Sequence, residues 1–121
     1  MSNSILKGKK GIIFGALDES SIAWITANKI YDEGGRFVLT NAPVAIRMGN
    51  IEKLAKQTES KVIPADATSL EDLENLIKGA LNDLGSKLDF VLHSIGMSVN
   101  VRKGKEYTDL NHDWMTRGWD V

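Results

Sequence analysis

Four short stretches carry groups that could do chemistry: Gly15–Ala23, Thr40–Pro43, Ala65–Ala67 and His93–Gly96. In the first, Gly15 directly follows the apolar run Gly11-Ile12-Ile13-Phe14, and Ser21 stands where a helical pattern begins. A glycine there lets the backbone turn tightly and approach a ligand with no Cβ in the way. The Ser21 hydroxyl could cap the helix or bond a phosphate. The free N–H groups of Ser21 and Ile22, at the positive end of a helix, would form an anion site. Ala23 is small enough for the first helical turn to pack close to a sheet. A G-x-G-x-x-G loop would place glycines where Leu17 and Ser20 stand. Taken alone, Gly-x₅-Ser-x-Ala therefore describes a capped helix after a strand as well as it describes a nucleotide loop.

The other stretches are read the same way. Thr40-Asn41-Ala42-Pro43 has no carboxylate to hold an adenine ribose, and Arg47 raises a 2′-phosphate contact, although a solvated helix residue describes it better. Asp66, flanked by Ala65 and Ala67, could accept a hydrogen bond from an adenine amino group, with the Ala67 N–H and C=O reading the ring edge; by itself it reads as an Asx-type turn. Ser94, Ile95 and Gly96 would wall a cleft beside a ribose or nicotinamide. His93 is read as a packed strand-end residue and not as a general base. Arg102, Lys103 and Lys105 read as a solvated loop.

The elements that must position these loops alternate between strand and helix. Strands are expected at Lys10–Phe14, Arg36–Thr40, Lys61–Pro64 and Leu88–Leu92. A helix over Ser21–Glu33 should bury Ile22, Ile25, Ala27 and Ile30, and Gly34-Gly35 stops it. A helical segment follows Pro43, with Gly49 as a weak point. The clearest helix starts at a Ser69 cap, has Glu71 and Asp72 in its first turn, carries a stripe from Leu70 to Leu84, and closes at Gly85. Short apolar strands joined by helices imply an α/β fold, a doubly wound (Rossmann-type) parallel sheet ordered 3-2-1-4. Ligands in such sheets bind at the carboxyl ends of the strands where the order reverses, here between the first and fourth strands.

Composition narrows the classes. The 121 residues suit one domain, and 42% apolar content supports a core. A net charge of −1 gives no case for nucleic-acid or anionic-membrane binding. With no cysteine and two histidines, a metal site is not expected. No apolar stretch suits a membrane span or a secretory signal, and a cytoplasmic location is the default expectation.

Together, Gly15-x₅-Ser21-Ile22-Ala23, Asp66-Ala67 and His93-Ser94-Ile95-Gly96 resemble the enoyl-acyl-carrier-protein reductases, a divergent branch of the short-chain dehydrogenase/reductase superfamily. Ordinary members of that superfamily carry T-G-x₃-G-x-G and N-N-A-G loops, which this chain lacks. The resemblance implies reduction of the trans-2 double bond of an enoyl thioester by NADH, with NADPH as the other possibility, in type II fatty-acid synthesis. It places Gly15, Ser21 and Ile22 at the pyrophosphate, Ala42 on the adenosine side, Asp66 and Ala67 at adenine, Ile95 and Gly96 at the ribose and nicotinamide, and Ser98 at the substrate. The family often has a larger polar residue at the Ala42 position. The implied partner is an enoyl-acyl carrier protein, and the implied assembly is a homotetramer. The family's catalytic Tyr-x₆-Lys pair has no counterpart in these residues: Tyr31 lies in the first helix, and Tyr107 has no Lys at the required spacing. The resemblance thus makes residues 1–121 the N-terminal, cofactor-binding part of a longer single-domain enzyme, inactive alone. Another short-chain reductase, or a non-catalytic dinucleotide-binding module, is the alternative.

Overall fold

The computed structural model describes residues 5–85 and 87–95. The elements run β1 (Lys10–Phe14), α1 (Ile22–Asp32), β2 (Arg36–Thr40), α2 (Pro43–Met48), α3 (Ile51–Gln57), α4 (Leu70–Leu84) and β3 (Phe90–His93). The three strands form one parallel sheet in the order β2-β1-β3. β1 is central. Ile12 pairs with Val38 on one side and Val91 on the other, and Phe14 pairs with Thr40 and His93.

The strand expected at Lys61–Pro64 is reduced to one parallel bridge, Leu39 to Val62. The Leu39 N–H donates to the Lys61 carbonyl at 2.9 Å, and the Ile63 N–H donates to the Leu39 carbonyl at 2.9 Å. Pro64 has no N–H to continue the ladder. This bridge lies outside β2, where the expected order puts the third strand, and β3 occupies the place of the expected fourth. β3 begins two residues later than Leu88, because Asp89 is used to pin the register. Its carboxylate accepts from the Lys10 N–H at 2.9 Å, and its own N–H donates to the Lys10 carbonyl.

Alternation along the strands divides the core between the two sheet faces. Ile13, Phe37 and Leu39 pack with Ala23, Trp24 and Ala27 of α1 and Leu54 of α3. Ile12, Phe14 and Val38 pack with Leu76 and Ala80 of α4. The buried face of α1 differs from the expected one: Ile22 and Ile25 are 74% and 62% exposed. Ala23 and Ala27, one turn apart, let the helix lie close to the sheet, and Trp24 fills the space beside them. Ala27 and Ile30 pack as expected, and Ala23 and Trp24 take the places expected for Ile22 and Ile25.

The segment after Pro43 breaks into α2 and α3 at Gly49. α4 matches its expected caps. The Asp72 N–H donates to Ser69 Oγ at 3.2 Å, and Gly85 closes the helix with φ +93°, a conformation that favours glycine. Its stripe is narrower than expected, since Leu70 is 74% exposed. Replacing Ser69 with Ala should cost about 1 kcal/mol of stability. Urea denaturation of the full-length protein checks this; an unchanged midpoint would mean that the cap contributes nothing.

Candidate dinucleotide cleft

The carboxyl ends of β1, β2 and β3 converge on Gly15. Its N–H donates to the Thr40 carbonyl at 3.1 Å, and its φ is +97°. A Cβ built there would lie 1.9 Å from the Ser94 carbonyl oxygen, so only glycine fits between the exits of β2 and β3. Above this point opens a cleft of about 580 Å³. Its walls come from Gly15 and Leu17 after β1, Ala42, Val44 and Ala45 after β2, Asp66, Ala67 and Thr68 before α4, and Ser94 and Ile95 after β3. The volume lies within the range of small-molecule and cofactor sites.

Both loops that border the cleft are braced by an aspartate. Asp18 Oδ1 accepts from the Ser20 hydroxyl at 2.6 Å and the Ser20 N–H at 2.9 Å. Asp66 Oδ1 accepts from the Thr68 hydroxyl at 2.7 Å and the Thr68 N–H at 2.9 Å. These bonds favour the ionised carboxylate and hold both groups below the ordinary value of 3.8, the side-chain hydroxyl contributing most and the backbone N–H next. The Asp66 N–H donates to Asp72 Oδ2 at 2.9 Å, tying the loop to α4. Asp66 is therefore an Asx turn, and its other carboxylate oxygen makes no bond among the described residues.

Ser21 corrects the sequence expectation in two respects. Its N–H is not free, because it donates to the Asp18 carbonyl at 3.0 Å. Its hydroxyl does not cap α1. It donates to the same carbonyl at 2.8 Å and accepts from the Leu17 N–H at 3.2 Å. In this arrangement Ser21 shapes the loop. No side chain caps α1, and helix geometry leaves its first N–H groups, from Ile22 onward, without intrahelical partners.

Of the expected site residues, Gly15, Ala42, Asp66, Ala67 and Ile95 line the cleft. Ser21 and Ile22 stand at the helix entrance beside it and are not part of its wall. Gly96 and Ser98, like Arg102, Lys103, Lys105 and Tyr107, lie outside the described residues. His93 ends β3 as expected but is exposed and not packed, with its ring centroid 6.3 Å from that of Phe14, and it does not line the cleft. Arg47 is exposed on α2 and does not line the cleft either. Leu17, Val44, Ala45 and Thr68 also line it, although the sequence did not single them out as site residues. Leu17 carried a signal, since it replaces a glycine of the usual fingerprint. Val44 and Ala45 lie in the first turn of α2, which follows the exit of β2.

A parallel sheet with helices on both faces and a cleft at the switch between β1 and β3 defines a Rossmann-type nucleotide-binding fold. Within that class the chain belongs to the enoyl-(acyl carrier protein) reductase family, whose model matches residues 15–121. Enoyl-[acyl-carrier-protein] reductase [NADH] 2 of Rhizobium meliloti (strain 1021) is 31% identical over 117 residues, covering 95% of this chain and 42% of that protein. The crystal structure of a FabI–NADH complex from Alistipes finegoldii is 56% identical, with a TM-score of 0.91 over 98% of this chain and 42% of that one. The Aquifex aeolicus VF5 enoyl-[acyl-carrier-protein] reductase (NADH) is 28% identical, with a TM-score of 0.82, covering 96% of this chain and 46% of that one. The chain spans less than half the length of these relatives. Among the described residues no helix is long and apolar enough to cross a membrane.

The aspartate brace has a pH signature. A folded-state pKa below 3.8 means that the Asp66 contribution to stability is fully present above that value and is lost as pH falls through the folded pKa. Replacing Thr68 with Val removes the main donor and should move the Asp66 midpoint upward. Carbon-13 NMR titration of the carboxyl group measures it; an identical midpoint in both proteins would show that the Thr68 hydroxyl does not hold the carboxylate.

Proposed function

We propose that this chain is the cofactor-binding, N-terminal part of an NADH-dependent enoyl-[acyl-carrier-protein] reductase that reduces the trans-2 double bond of enoyl thioesters in fatty-acid synthesis. The observation that carries the reading is the convergence of Gly15, Ala42, Asp66, Ala67 and Ile95 on one cleft at the strand switch, in a chain of this family.

The residues present fit the adenosine and pyrophosphate halves of the cofactor. Ala42, Ala45, Ala65 and Ala67 make small, apolar walls suited to a flat ring. Asp66 is ionised and keeps one oxygen open to accept from the adenine amino group, while the Ala67 backbone reads the ring edge. The amides from Ile22 onward meet the pyrophosphate at the positive end of α1. Ser21 acts one step back, by holding Leu17 and Asp18 in place. Ile95 and Gly96 line the ribose and nicotinamide, and Ser98 meets the substrate. Bound NADH supplies the hydride, and the chain's own residues bind and orient it. The residues that hold the developing enolate belong to the remainder of the enzyme, so residues 1–121 alone should not turn over. NADH is preferred to NADPH because Arg47, the cation that follows β2 in sequence, does not line the cleft. An acyl carrier protein delivers the substrate, and the full-length enzyme is a cytoplasmic homotetramer.

The test is fluorescence titration with NADH and reduction of a crotonyl thioester by the full-length protein. A Gly15→Val change drives a side chain into the Ser94 carbonyl. It should weaken NADH binding by at least about tenfold, or ~1.4 kcal/mol. Unchanged affinity in a folded Gly15→Val protein would remove the placement. NADH binding without thioester reduction would favour a dinucleotide-binding protein of another kind.

A further inference from the structure

Leu17 lines the cleft at a position where a glycine-rich loop would have no side chain, and its backbone is gripped from outside that loop. The Asn50 N–H, between α2 and α3, donates to the Leu17 carbonyl at 2.8 Å. A Cβ built on Gly49 would lie 2.3 Å from the same carbonyl oxygen and 2.8 Å from Leu17 Cδ1. Gly49 has φ −106°, which any residue can adopt, so what demands glycine is space. Two further ties hold the loop to the same side of the molecule. Asn41 Nδ2 donates to the Ala16 carbonyl at 2.9 Å, and Lys53 on α3 pairs with Glu19. Neither Gly49, Asn50 nor Lys53 lines the cleft.

We propose that the Gly49–Asn50 joint is a positioning element for the cofactor loop. It fixes Leu17, and through Leu17 the N-terminal amides of α1, and so sets NADH affinity without touching the cofactor. Close packing makes this connection stiff: atoms forced within 3 Å of a backbone carbonyl must move it, and a shift of a few tenths of an ångström misaligns charged hydrogen bonds. The Ser21 Oγ to Leu17 N–H bond passes the displacement to the start of α1. The inference rests on the dinucleotide reading of the cleft, and not on which substrate is reduced.

The experiment measures the NADH dissociation constant by fluorescence, and kcat at saturating NADH, in the full-length protein and its Gly49→Ala and Lys53→Gln variants. Gly49→Ala should raise Kd about tenfold while kcat stays within about twofold, the pattern of lost uniform binding. Lys53→Gln should raise Kd by about two- to threefold at low salt, an effect that fades as ionic strength screens the exposed pair. A purely structural joint would instead reduce the folded fraction, lowering kcat with Kd unchanged, and that result overturns the inference. Should Gly49→Ala not fold, Lys53→Gln decides: an unchanged Kd at low salt is equally fatal. A wild-type protein that binds NADH but reduces no crotonyl thioester overturns only the enoyl reductase reading, and the comparison of Kd values still decides the joint. A wild-type protein that does not bind NADH overturns both.

Discussion

At Gly15 three strand ends are packed so closely that one methyl group would not fit. The Ser94 carbonyl lies 1.9 Å from the position of the missing Cβ, and the Gly15 N–H is tied to the Thr40 carbonyl at the end of β2. This crowding brings the loops after β1, β2 and β3 to a common point. The parallel register makes it possible, because Phe14 is level with both Thr40 and His93. Everything that follows in the site inherits its position from that layer of the sheet.

From this layer the two loops beside the cleft use one device. In each, an aspartate accepts from the N–H and hydroxyl of the residue two places on, Ser20 or Thr68. In each, its carbonyl accepts from the next N–H, that of Ser21 or Ser69, just before a helix starts. Turns of this kind satisfy their own polar groups, so the loops reach their shape with no bound ligand. A preshaped loop loses less entropy when a cofactor binds. The serines then diverge. Ser69 caps α4, whereas Ser21 is drawn into its own loop, which leaves the first amides of α1 uncapped.

The sequence made the topology legible because strand and helix patterns differ in period and because Ser69, Gly85 and Pro64 mark boundaries by local chemistry. β1 and β2 were legible to the residue. The packing face of α1 was legible only in part: Ala27 and Ile30 were placed, whereas Ala23 and Trp24 take the places expected for Ile22 and Ile25, because apolar patterning does not rank size. Gly15, Asp66 and Ala67 were legible by their place after strands. The role of Ser21 was not: whether a hydroxyl caps a helix or braces a turn depends on which carbonyl lies within reach, here that of Asp18. Gly49 appeared only as a weak point in a helix, because its contact with Leu17 spans 32 residues of chain and has no local signature.

The central claim is that a dinucleotide lies across the carboxyl ends of β1 and β3, with adenine beside Asp66 and pyrophosphate at the start of α1. A crystal structure of the full-length protein with NADH tests this most directly. The account predicts the adenine amino group within hydrogen-bond distance of the Asp66 carboxylate, its ring edge at the Ala67 backbone, and pyrophosphate oxygens on the amides from Ile22 onward, with the Ser21 hydroxyl still bonded to the Asp18 carbonyl. NADH bound elsewhere, or in this cleft with its adenine away from Asp66, would contradict it.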